Sequence, residues 1–271
     1  MTNSPEQFTH TDLTSRDNPL IKDLRKLAHD TGAYRKQGRV WLEGDHLCRA
    51  AMARGFQPSI AVFCESFWPL AQVEWGSCAI KNIVIPDTLM AEISSLESPG
   101  RMGFVLELPG AIGLVDANAA SVILDRVQDA GNVGSILRSA AAFGFSQILA
   151  IRGTAALWSP KVLRAGMGAH FGLRLVEGLS IDGLAGLALP IVVTSSHDGE
   201  FLHELIARHE LPMPCAWAMG HEGQGVDPRL MSMAVLKVRI DQPGGEESLN
   251  VGAAAAICLH ASTFHRARTV S

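Results

Sequence analysis

The sequence predicts an α/β protein whose C-terminal half is built on a parallel β-sheet. Five apolar runs of strand length alternate there with helical patterns: residues 121–124, 148–151, 191–194, 216–219 and 235–240. Apolar runs without polar alternation are typical of strands that are buried on both faces of a parallel sheet. Alternation of strands with helices places helices on both faces of that sheet.

The N-terminal half shows shorter α and β patterns. Residues 60–64 and 83–85 are apolar runs that we interpret as strands. An earlier apolar run at residues 40–42 is followed by a helix candidate at residues 45–54. This half therefore also predicts an α/β arrangement, smaller than the C-terminal one.

The two halves are separated by a segment without periodicity. Residues 109–118 are rich in Gly, Pro and Ala, a composition typical of a linker. We therefore expect one domain at residues 15–108 and a second at residues 119–271. Residues 1–14 are polar, and we expect them to form a flexible tail.

The composition indicates a well-packed protein outside the membrane. Hydrophobic residues make up 47 % of the 271 residues, and no apolar run reaches the length of a membrane span. The start of the chain lacks a signal-peptide pattern, so we expect a cytoplasmic location. The five cysteines include no CxxC pair, which favours free and mostly buried thiols.

Metal and dinucleotide motifs are missing from the sequence. The pairs His203-Glu204 and His209-Glu210 do not have the HExxH spacing, so we expect no metal site. Residues 166–172 contain glycines but do not match G-x-G-x-x-G, which argues against a Rossmann dinucleotide site.

A first polar cluster follows the strand at residues 121–124. After a turn at Gly131-Asn132, apolar residues recur at helical spacing: Val133, Ile136, Leu137, Ala140 and Ala141. Asn132 thus lies near the carboxyl end of a strand, where open α/β sheets bind ligands, and Arg138 lies at the rim of the buried stripe. The alternative is an Asn helix cap and a solvated Arg.

A second cluster follows the strand at residues 216–219. Three glycines surround Glu222 there, beginning with Gly220, and glycines let a backbone pass close to a ligand. The alternative is a tight turn with a solvated carboxylate.

A third cluster is Ser248-Leu249-Asn250, at the start of a helix of small apolar residues at 252–259. We expect this helix to open at Glu247-Ser248, with Ser248 as its cap. A cap alone, without any site, is the alternative.

Together the three clusters resemble, in order and spacing, the motifs of the SpoU (TrmH) family of RNA ribose 2′-O-methyltransferases, within the SPOUT superfamily. Residues 159–165 resemble the segment between the first two motifs. Residues 15–22 and 35–44 resemble the substrate-binding domain of the family. The resemblance covers residues 15–265 and implies a C-terminal SPOUT domain with a trefoil knot, preceded by a smaller L30e-like α/β domain.

The sequence departs from the family pattern at three places. His221 stands where Asn or Ser is more frequent, residues 240–243 replace Ile-Pro-Met, and Gly252 stands where Ser is frequent. None of these changes removes a residue of the central motifs, so they bear on substrate detail rather than on the reaction.

The resemblance implies transfer of a methyl group from S-adenosylmethionine to a ribose 2′-hydroxyl of structured RNA, with ribosomal RNA favoured over transfer RNA. The implied catalytic residues are Asn132, Arg138, Glu222, Ser248 and Asn250. The implied cofactor-binding residues are Gly220, Glu222, Ile240, Leu249 and Asn250. Thr194 and Ser195 join this set because they end a strand, although they match the family only loosely. Family members act as dimers, and we expect a homodimer here.

The net charge of −4 is not typical of a dedicated nucleic-acid binder, but the distribution of charge matters more than the total. Asn18-Pro19 is a good helix start, and basic residues cluster around the helix that follows. We expect these to contact RNA: Arg16, Lys22, Arg25, Lys26, Arg35, Lys36 and Arg39. An ordinary solvated face is the alternative.

Two other classes of function remain open from the sequence. One is a non-catalytic RNA-binding protein that keeps the SPOUT fold, although it would not need all five implied catalytic residues. The other is a nucleotide-binding enzyme on an ordinary doubly wound sheet, which would need a Gly-rich phosphate loop that the sequence lacks.

Overall fold

The computed structural model describes residues 8–108, 114–244 and 249–266. The chain forms two compact units, which we call the N-unit and the C-unit. No helix in these ranges is both long enough and apolar enough to pass through a bilayer.

The N-unit consists of Met1–Gly110 and Trp158–Phe171, and the C-unit of Ala111–Leu157 and Gly172–Ser271. The first break falls inside the predicted linker at residues 109–118. The segment Trp158–Phe171, which we expected in the C-terminal domain, packs with the N-unit instead.

The N-unit contains a five-stranded mixed sheet. Its strands are β1 (Thr11–Asp12), β2 (Arg39–Glu43), β3 (Ile60–Cys64), β4 (Lys81–Ile85) and β5 (Met102–Glu107). Their order is β1-β4-β3-β5-β2, and β5 runs antiparallel to both of its neighbours. The helices that accompany these strands are α1 (Pro19–His29), α2 (Ala33–Gln37), α3 (Asp45–Met52), α4 (Trp68–Trp75) and α5 (Asp87–Ile93).

Strand β1 lies within residues 1–14, which we expected to form a tail. It pairs in parallel with β4, and Asn82 Nδ2 donates a hydrogen bond to Thr9 O (3.3 Å). A two-residue strand is too short to produce a pattern in the sequence, so this part of the prediction needs correction. Helix α1, in contrast, begins as predicted, because Asn18 Oδ1 accepts from Leu20 N and Pro19 is the first helical residue.

The C-unit contains a seven-stranded sheet. Its strands are β6 (Ser121–Leu124), β7 (Gln147–Ile151), β8 (Arg174–Leu179), β9 (Ile191–Thr194), β10 (Glu200–Phe201), β11 (Ala216–Met219) and β12 (Leu236–Arg239). Their order is β10-β12-β9-β11-β6-β7-β8, and every recorded pair is parallel. The helices of the C-unit are α6 (Ala130–Ala142), α8 (Leu202–Arg208), α9 (Pro228–Met233) and α10 (Val251–Arg266). Helix α7 (Pro160–Gly166) lies between α6 and α8 in the sequence but belongs to the N-unit. The predicted parallel α/β fold is confirmed, whereas the trefoil knot and the L30e likeness stay predictions.

Helix α7 belongs to the N-unit, although its neighbours in sequence belong to the C-unit. It lies against α1 and β2, and Leu163 lines a small recess together with Ala28, Trp41 and Leu47. Apolar side chains therefore determine its packing partner, and this choice is not visible in the order of elements along the chain.

The strands that precede the predicted motifs are neighbours in the sheet of the C-unit. Strand β11 lies between β6 and β9, and β12 lies on the other side of β9. Since these strands are parallel, their carboxyl ends reach the same edge. The fold therefore brings Asn132, Glu222, Thr194 and Ile240 to one edge of the sheet.

Two predicted helix starts need correction. Helix α6 begins at Ala130 and is capped by Asp129, whose Oδ1 accepts from Asn132 N (2.8 Å), so Asn132 lies inside the first turn. Helix α10 begins at Val251, where Asn250 Oδ1 accepts from Gly252 N (2.9 Å). Ser248, the expected cap, lies outside the described residues.

The five cysteines are free, as predicted. Four of them are buried, and Cys78 is partly exposed. Burial raises the pKa of the Cys64 and Cys215 thiols to about 12. These thiols are therefore protonated and act as small apolar side chains at neutral pH.

Helix α10 is fixed to the sheet by a buried hydrogen bond. Trp217 Nε1, in the centre of β11, donates to Ser262 Oγ (2.9 Å), and both residues are fully buried. Ser262 in turn donates to Cys258 O (3.0 Å). The indole N–H thus has its acceptor on the helix that carries Asn250 at its start.

We expect Ser262→Ala to lower the free energy of unfolding by about 1–3 kcal/mol, because the buried indole N–H of Trp217 loses its acceptor. Urea unfolding measures this change. The control is Thr263→Ala, which removes a hydroxyl from a less buried position on the same helix and should cost under about 0.5 kcal/mol. Equal losses in the two variants would contradict this role of Ser262.

Candidate active site

Glu222 connects two loops at the carboxyl edge of the C-unit sheet. Its Oε1 accepts from Asp129 N (3.1 Å) and from Asn132 Nδ2 (3.1 Å), and its Oε2 accepts from Gln128 N (3.2 Å). The loop after β11 is thereby joined to the loop after β6 through one carboxylate.

Asn132 extends this connection to the start of α10. Its Oδ1 accepts from Asn250 Nδ2 (2.9 Å), while its own Nδ2 donates to Glu222. The side-chain oxygen of Asn250, Oδ1, accepts from Gly252 N and Ala253 N. Members of all three predicted motifs therefore form one hydrogen-bonded chain, Glu222–Asn132–Asn250.

The surroundings of Glu222 keep its carboxyl group ionised. Burial raises the pKa of Glu222, but hydrogen bonds from Asn132 and from the backbone N–H groups of Glu222, Asp129 and Gln128 outweigh that effect. The net result is a pKa below the usual value for a glutamate. At neutral pH the side chain therefore only accepts hydrogen bonds.

The loop that holds Glu222 closes tightly on itself. His221 and Gly225 exchange two backbone hydrogen bonds, and a Cβ on Gly220 would lie 2.3 Å from the carbonyl carbon of Gly225. His221 Nδ1 accepts from Gly223 N (3.0 Å) and from Gln224 N (3.3 Å). The histidine thus supplies a side-chain acceptor that closes this turn.

Gly252 lies where the first turn of α10 meets α6. A Cβ there would lie 3.1 Å from Asn250 Oδ1, 3.6 Å from Asn132 Oδ1 and 3.6 Å from Ser135 Cβ. The contact with Asn250 Oδ1 is tight, whereas those with Asn132 and Ser135 are ordinary van der Waals distances, so a side chain at this place would require a small shift of Asn250.

Arg138 is exposed on α6 and makes no hydrogen bond or ion pair with any residue that the structure describes. The structure therefore does not join it to the Glu222–Asn132–Asn250 chain. Its guanidinium is available to an anion from solution. Ser248, the remaining predicted catalytic residue, lies outside the described ranges, so its role stays a prediction.

The predicted cofactor residues surround the same edge, but their hydroxyl groups are already used. Thr194 Oγ1 donates to Ala218 O (3.2 Å), and Ser195 Oγ donates to Asp198 Oδ1 (2.6 Å). These two hydroxyls can therefore offer a ligand only an acceptor oxygen, and any N–H donor at these residues comes from the backbone. Leu249 is 39 % exposed beside Asn250, and Ile240 is partly buried after β12.

Two buried polar atoms near Ile240 have no hydrogen-bond partner in the described part of the chain. They are Arg239 Nε, a donor, and Gln242 Oε1, an acceptor. Arg239 also stacks on the ring of Phe201 at 3.9 Å. In the sequence, only the position of Gln242 indicated that these two residues are unusual, because residues 240–243 depart from the family pattern.

Two further residues at this edge were not predicted from the sequence. Asp125 is a fully buried carboxylate directly after β6, and Arg126 pairs with it (Nε to Oδ1, 2.8 Å). In a sequence such an Asp-Arg pair is indistinguishable from two surface residues. No cluster of His, Cys, Asp or Glu in the described ranges could hold a metal ion.

The predicted RNA-binding residues of the N-unit are partly neutralised. Lys22 pairs with Asp17 (3.0 Å) and Arg39 with Asp23 (2.7 Å). Arg16 and Arg25 both pair with Glu92, and Arg35 lies over the ring of Tyr34 at 4.9 Å. Lys26 and Lys36 are exposed, with no ion pair among the described residues. Since surface pairs contribute under about 1 kcal/mol, phosphates can replace the carboxylates.

Models of two protein families match the chain. A model of the SpoU rRNA methylase family matches residues 119–260, and a model of an MRM3-like substrate binding domain matches residues 18–102. The first matched region lies within residues 119–271 and the second within residues 15–108.

Curated relatives extend over nearly the whole chain. An uncharacterized tRNA/rRNA methyltransferase of Synechocystis is 30 % identical over 257 residues, which cover 92 % of each protein. The 23S rRNA (guanosine(2553)-2′-O)-methyltransferase RlmP of Bacillus subtilis is 29 % identical over 255 residues, which cover 92 % of this chain and 97 % of the relative.

Solved structures share the fold. A crystal structure of an RNA 2′-O ribose methyltransferase has a TM-score of 0.76 and 26 % identity, covering 95 % of this chain and all of that one (100 %). An rRNA methyltransferase from Sinorhizobium meliloti, solved with AdoMet bound, has a TM-score of 0.81 and 24 % identity, covering 94 % and 98 %. At that identity the second likeness supports the fold alone.

The two family models together identify the class of the protein as an RNA methyltransferase with a separate substrate-binding domain. The chain belongs to the SpoU rRNA methylase family. The family predicted from the sequence is thereby confirmed.

We expect Glu222→Gln to lower the free energy of unfolding by about 0.5–1 kcal/mol at pH 7, because an amide N–H would face backbone donors, while solvent screens part of the effect at this exposed side chain. The pKa of Glu222 is lowered on folding, so its stabilisation is present above the ordinary value of about 4.3 and is lost as the pH falls through the folded value. Urea unfolding of both proteins between pH 7 and pH 3 measures the difference, which should become smaller toward the acid end.

The control for this series is Glu204→Gln, which alters an exposed carboxylate on α8 and should change stability by under about 0.5 kcal/mol. A Glu222→Gln difference that stays constant down to pH 3 would contradict a stabilising ionised carboxylate.

Proposed function

We propose that this protein transfers a methyl group from S-adenosylmethionine to the 2′-hydroxyl of a ribose in ribosomal RNA. The observation that carries this proposal is the hydrogen-bonded chain Glu222–Asn132–Asn250, which unites the three family motifs at the strand ends. The name of the Bacillus relative gives 23S rRNA as its substrate, which favours ribosomal over transfer RNA here. A cytoplasmic location fits this choice of substrate.

The residues at the sheet edge fit a bound S-adenosylmethionine. The loops after β9, β11 and β12 offer backbone groups at Thr194, Gly220 and Ile240 and apolar surface at Leu249. Buried polar groups normally have partners, so the orphaned atoms of Arg239 and Gln242 favour a polar ligand there. When bound, S-adenosylmethionine supplies an electrophilic methyl group on its sulfonium.

The chain contributes positioning and charge. Asn132 holds Glu222 and Asn250 in fixed orientations, so that these groups can align the ribose hydroxyl for in-line attack. Alignment of two reactants can lower a barrier by about 7–11 kcal/mol. This contribution requires no further chemistry from the two asparagines.

Arg138 is proposed to hold an RNA phosphate and to stabilise the alkoxide that develops on the ribose oxygen. A guanidinium remains a cation and cannot accept the hydroxyl proton at neutral pH. The proton would therefore pass to a phosphate oxygen of the RNA or to water.

The proposal is tested with radiolabelled S-adenosylmethionine and total bacterial RNA that is fractionated by size. A 2′-O-methyl group blocks alkaline cleavage of the next phosphodiester, so the label should appear in alkali-resistant dinucleotides of the ribosomal fraction. Label in transfer RNA would change the substrate class, and label in alkali-sensitive products would contradict the ribose as acceptor. No label in any fraction would favour a non-catalytic RNA-binding protein.

We expect Arg138→Lys to lower methyl transfer by about 100-fold or more, because a lysine cannot provide the two-pronged contact of a guanidinium. Calorimetric titration with S-adenosylmethionine should give the same affinity as for the unchanged protein. Turnover near the normal rate in Arg138→Lys would contradict its proposed role.

A homodimer is the proposed assembly. Helix α10 exposes Ile257 (42 %) and Phe264 (55 %) along the side where His260 contacts the ring of Phe143 on α6 (5.3 Å between ring centroids). Large apolar side chains grouped on one helix favour association. This surface lies on the same two helices that carry Asn132 and Asn250.

We expect the protein to have a dimer mass in light scattering at micromolar concentration. Ile257→Glu should weaken association at least about tenfold, because a carboxylate would have to be desolvated in the interface. The control is Val235→Glu, since Val235 is equally apolar and 68 % exposed but lies before β12. A monomer mass for the unchanged protein would contradict the dimer.

A further inference from the structure

Asp125 is a carboxylate without solvent contact at the end of β6. Its Oδ1 accepts from Arg126 Nε (2.8 Å), and its Oδ2 accepts from Arg126 Nη2 (3.2 Å) and from Asp227 N (2.6 Å). A buried charge needs such partners, because desolvation without them is unfavourable. The neighbouring arginine supplies a two-pronged contact, which a lysine cannot reproduce.

Arg126 is held in a conformation that arginine rarely adopts. Its φ is +60°, in the left-handed region, and its N–H donates to Thr154 Oγ1 (3.1 Å). Thr154 in turn donates to Leu124 O (2.9 Å), and a Cβ on Gly153 would lie 3.2 Å from Arg126 Cγ. Non-glycine residues with positive φ persist where the surroundings hold them, often at functional sites.

The third guanidinium nitrogen of Arg126, Nη1, reaches the loop that carries Glu222. Arg126 Nη1 donates to Gln224 Oε1 (3.1 Å), while Asp125 holds Asp227 at the far end of the same loop. Glu222 lies just before these two anchor points. The Asp125–Arg126 pair therefore fixes the second half of the loop, and the contacts of Glu222 with Gln128, Asp129 and Asn132 fix the first half.

We propose that Asp125 and Arg126 are positioning residues, which hold the loop so that Glu222 can maintain the orientation of Asn132 and Asn250. This inference rests on the proposed methyl transfer, whereas the contacts of Asp125 and Arg126 with the loop are observed independently of any activity. The pair acts through Glu222 and does not touch the reacting atoms. Its effect should therefore appear in the rate of transfer rather than in RNA binding.

The first test compares Arg126→Lys with Arg208→Lys in steady-state methylation of ribosomal RNA. Arg208 pairs with Glu200, Glu204 and Glu210 on the surface, so its variant is a matched control for the loss of an arginine ion pair. Arg126→Lys should lower kcat by about 10- to 100-fold with an unchanged KM for RNA, because small misplacements have effects of that size. A higher KM for RNA at normal kcat would make Arg126 an RNA contact and overturn the inference.

A double-mutant cycle tests whether the effect passes through Glu222. In a Glu222→Gln background, Arg126→Lys should change kcat by less than about twofold, because the group that it positions has already been altered. A full and independent loss in that background would overturn the inference. Gln224→Ala, which removes only one anchor point, keeps the test meaningful if Arg126→Lys does not fold.

Hydrogen exchange separates this inference from the proposed function. The backbone N–H groups of Gln128 and Asp129 donate to Glu222, so release of the loop should speed their exchange about tenfold in Arg126→Lys or Gln224→Ala relative to Arg208→Lys. Unchanged exchange would overturn the inference whatever the activity. If the unchanged protein methylates no RNA but the exchange rates rise, the proposed function fails and the positioning of the loop stands.

Discussion

The carboxylate of Glu222 is the contact on which the geometry of the candidate site depends. It accepts three hydrogen bonds from the segment after β6, and through Asn132 it determines the orientation of Asn250 on α10. An ionised acceptor is required there, because all of its partners are N–H donors. The parallel sheet makes this contact possible, since it brings strand ends that are far apart in sequence to one edge.

Unbroken apolar runs made the central strands predictable. Strands β6, β9 and β11 have the predicted bounds, and nearly all of their residues are buried, as expected for central strands with both faces covered. Strand β8 was not predicted, since most of its residues are partly or fully exposed and it has no continuous apolar run. The two-residue strands β1 and β10 are too short for any periodicity. Packing also decided the place of α7, which its sequence neighbours do not indicate.

The candidate site was predictable in part. The motif resemblance selected Asn132, Glu222 and Asn250, and the structure links them. It could not predict that Asp129 rather than Asn132 caps α6, because both side chains suit a helix start. It also gave no indication of Asp125, since the burial of a single carboxylate depends on loops that lie 102 residues further along the chain. Tertiary contacts of this kind leave no local pattern.

The linked side chains are far apart in the order of synthesis. Glu222 lies 90 residues after Asn132, and Asn250 lies 118 residues after it. A growing chain that has folded its first strands and helices therefore still lacks two of the three groups. Completion of the site must wait for docking of the last helix, which the indole of Trp217 anchors from inside the sheet. The Asn132–Asn250 contact can therefore form only after the segment that carries α10 has been synthesised.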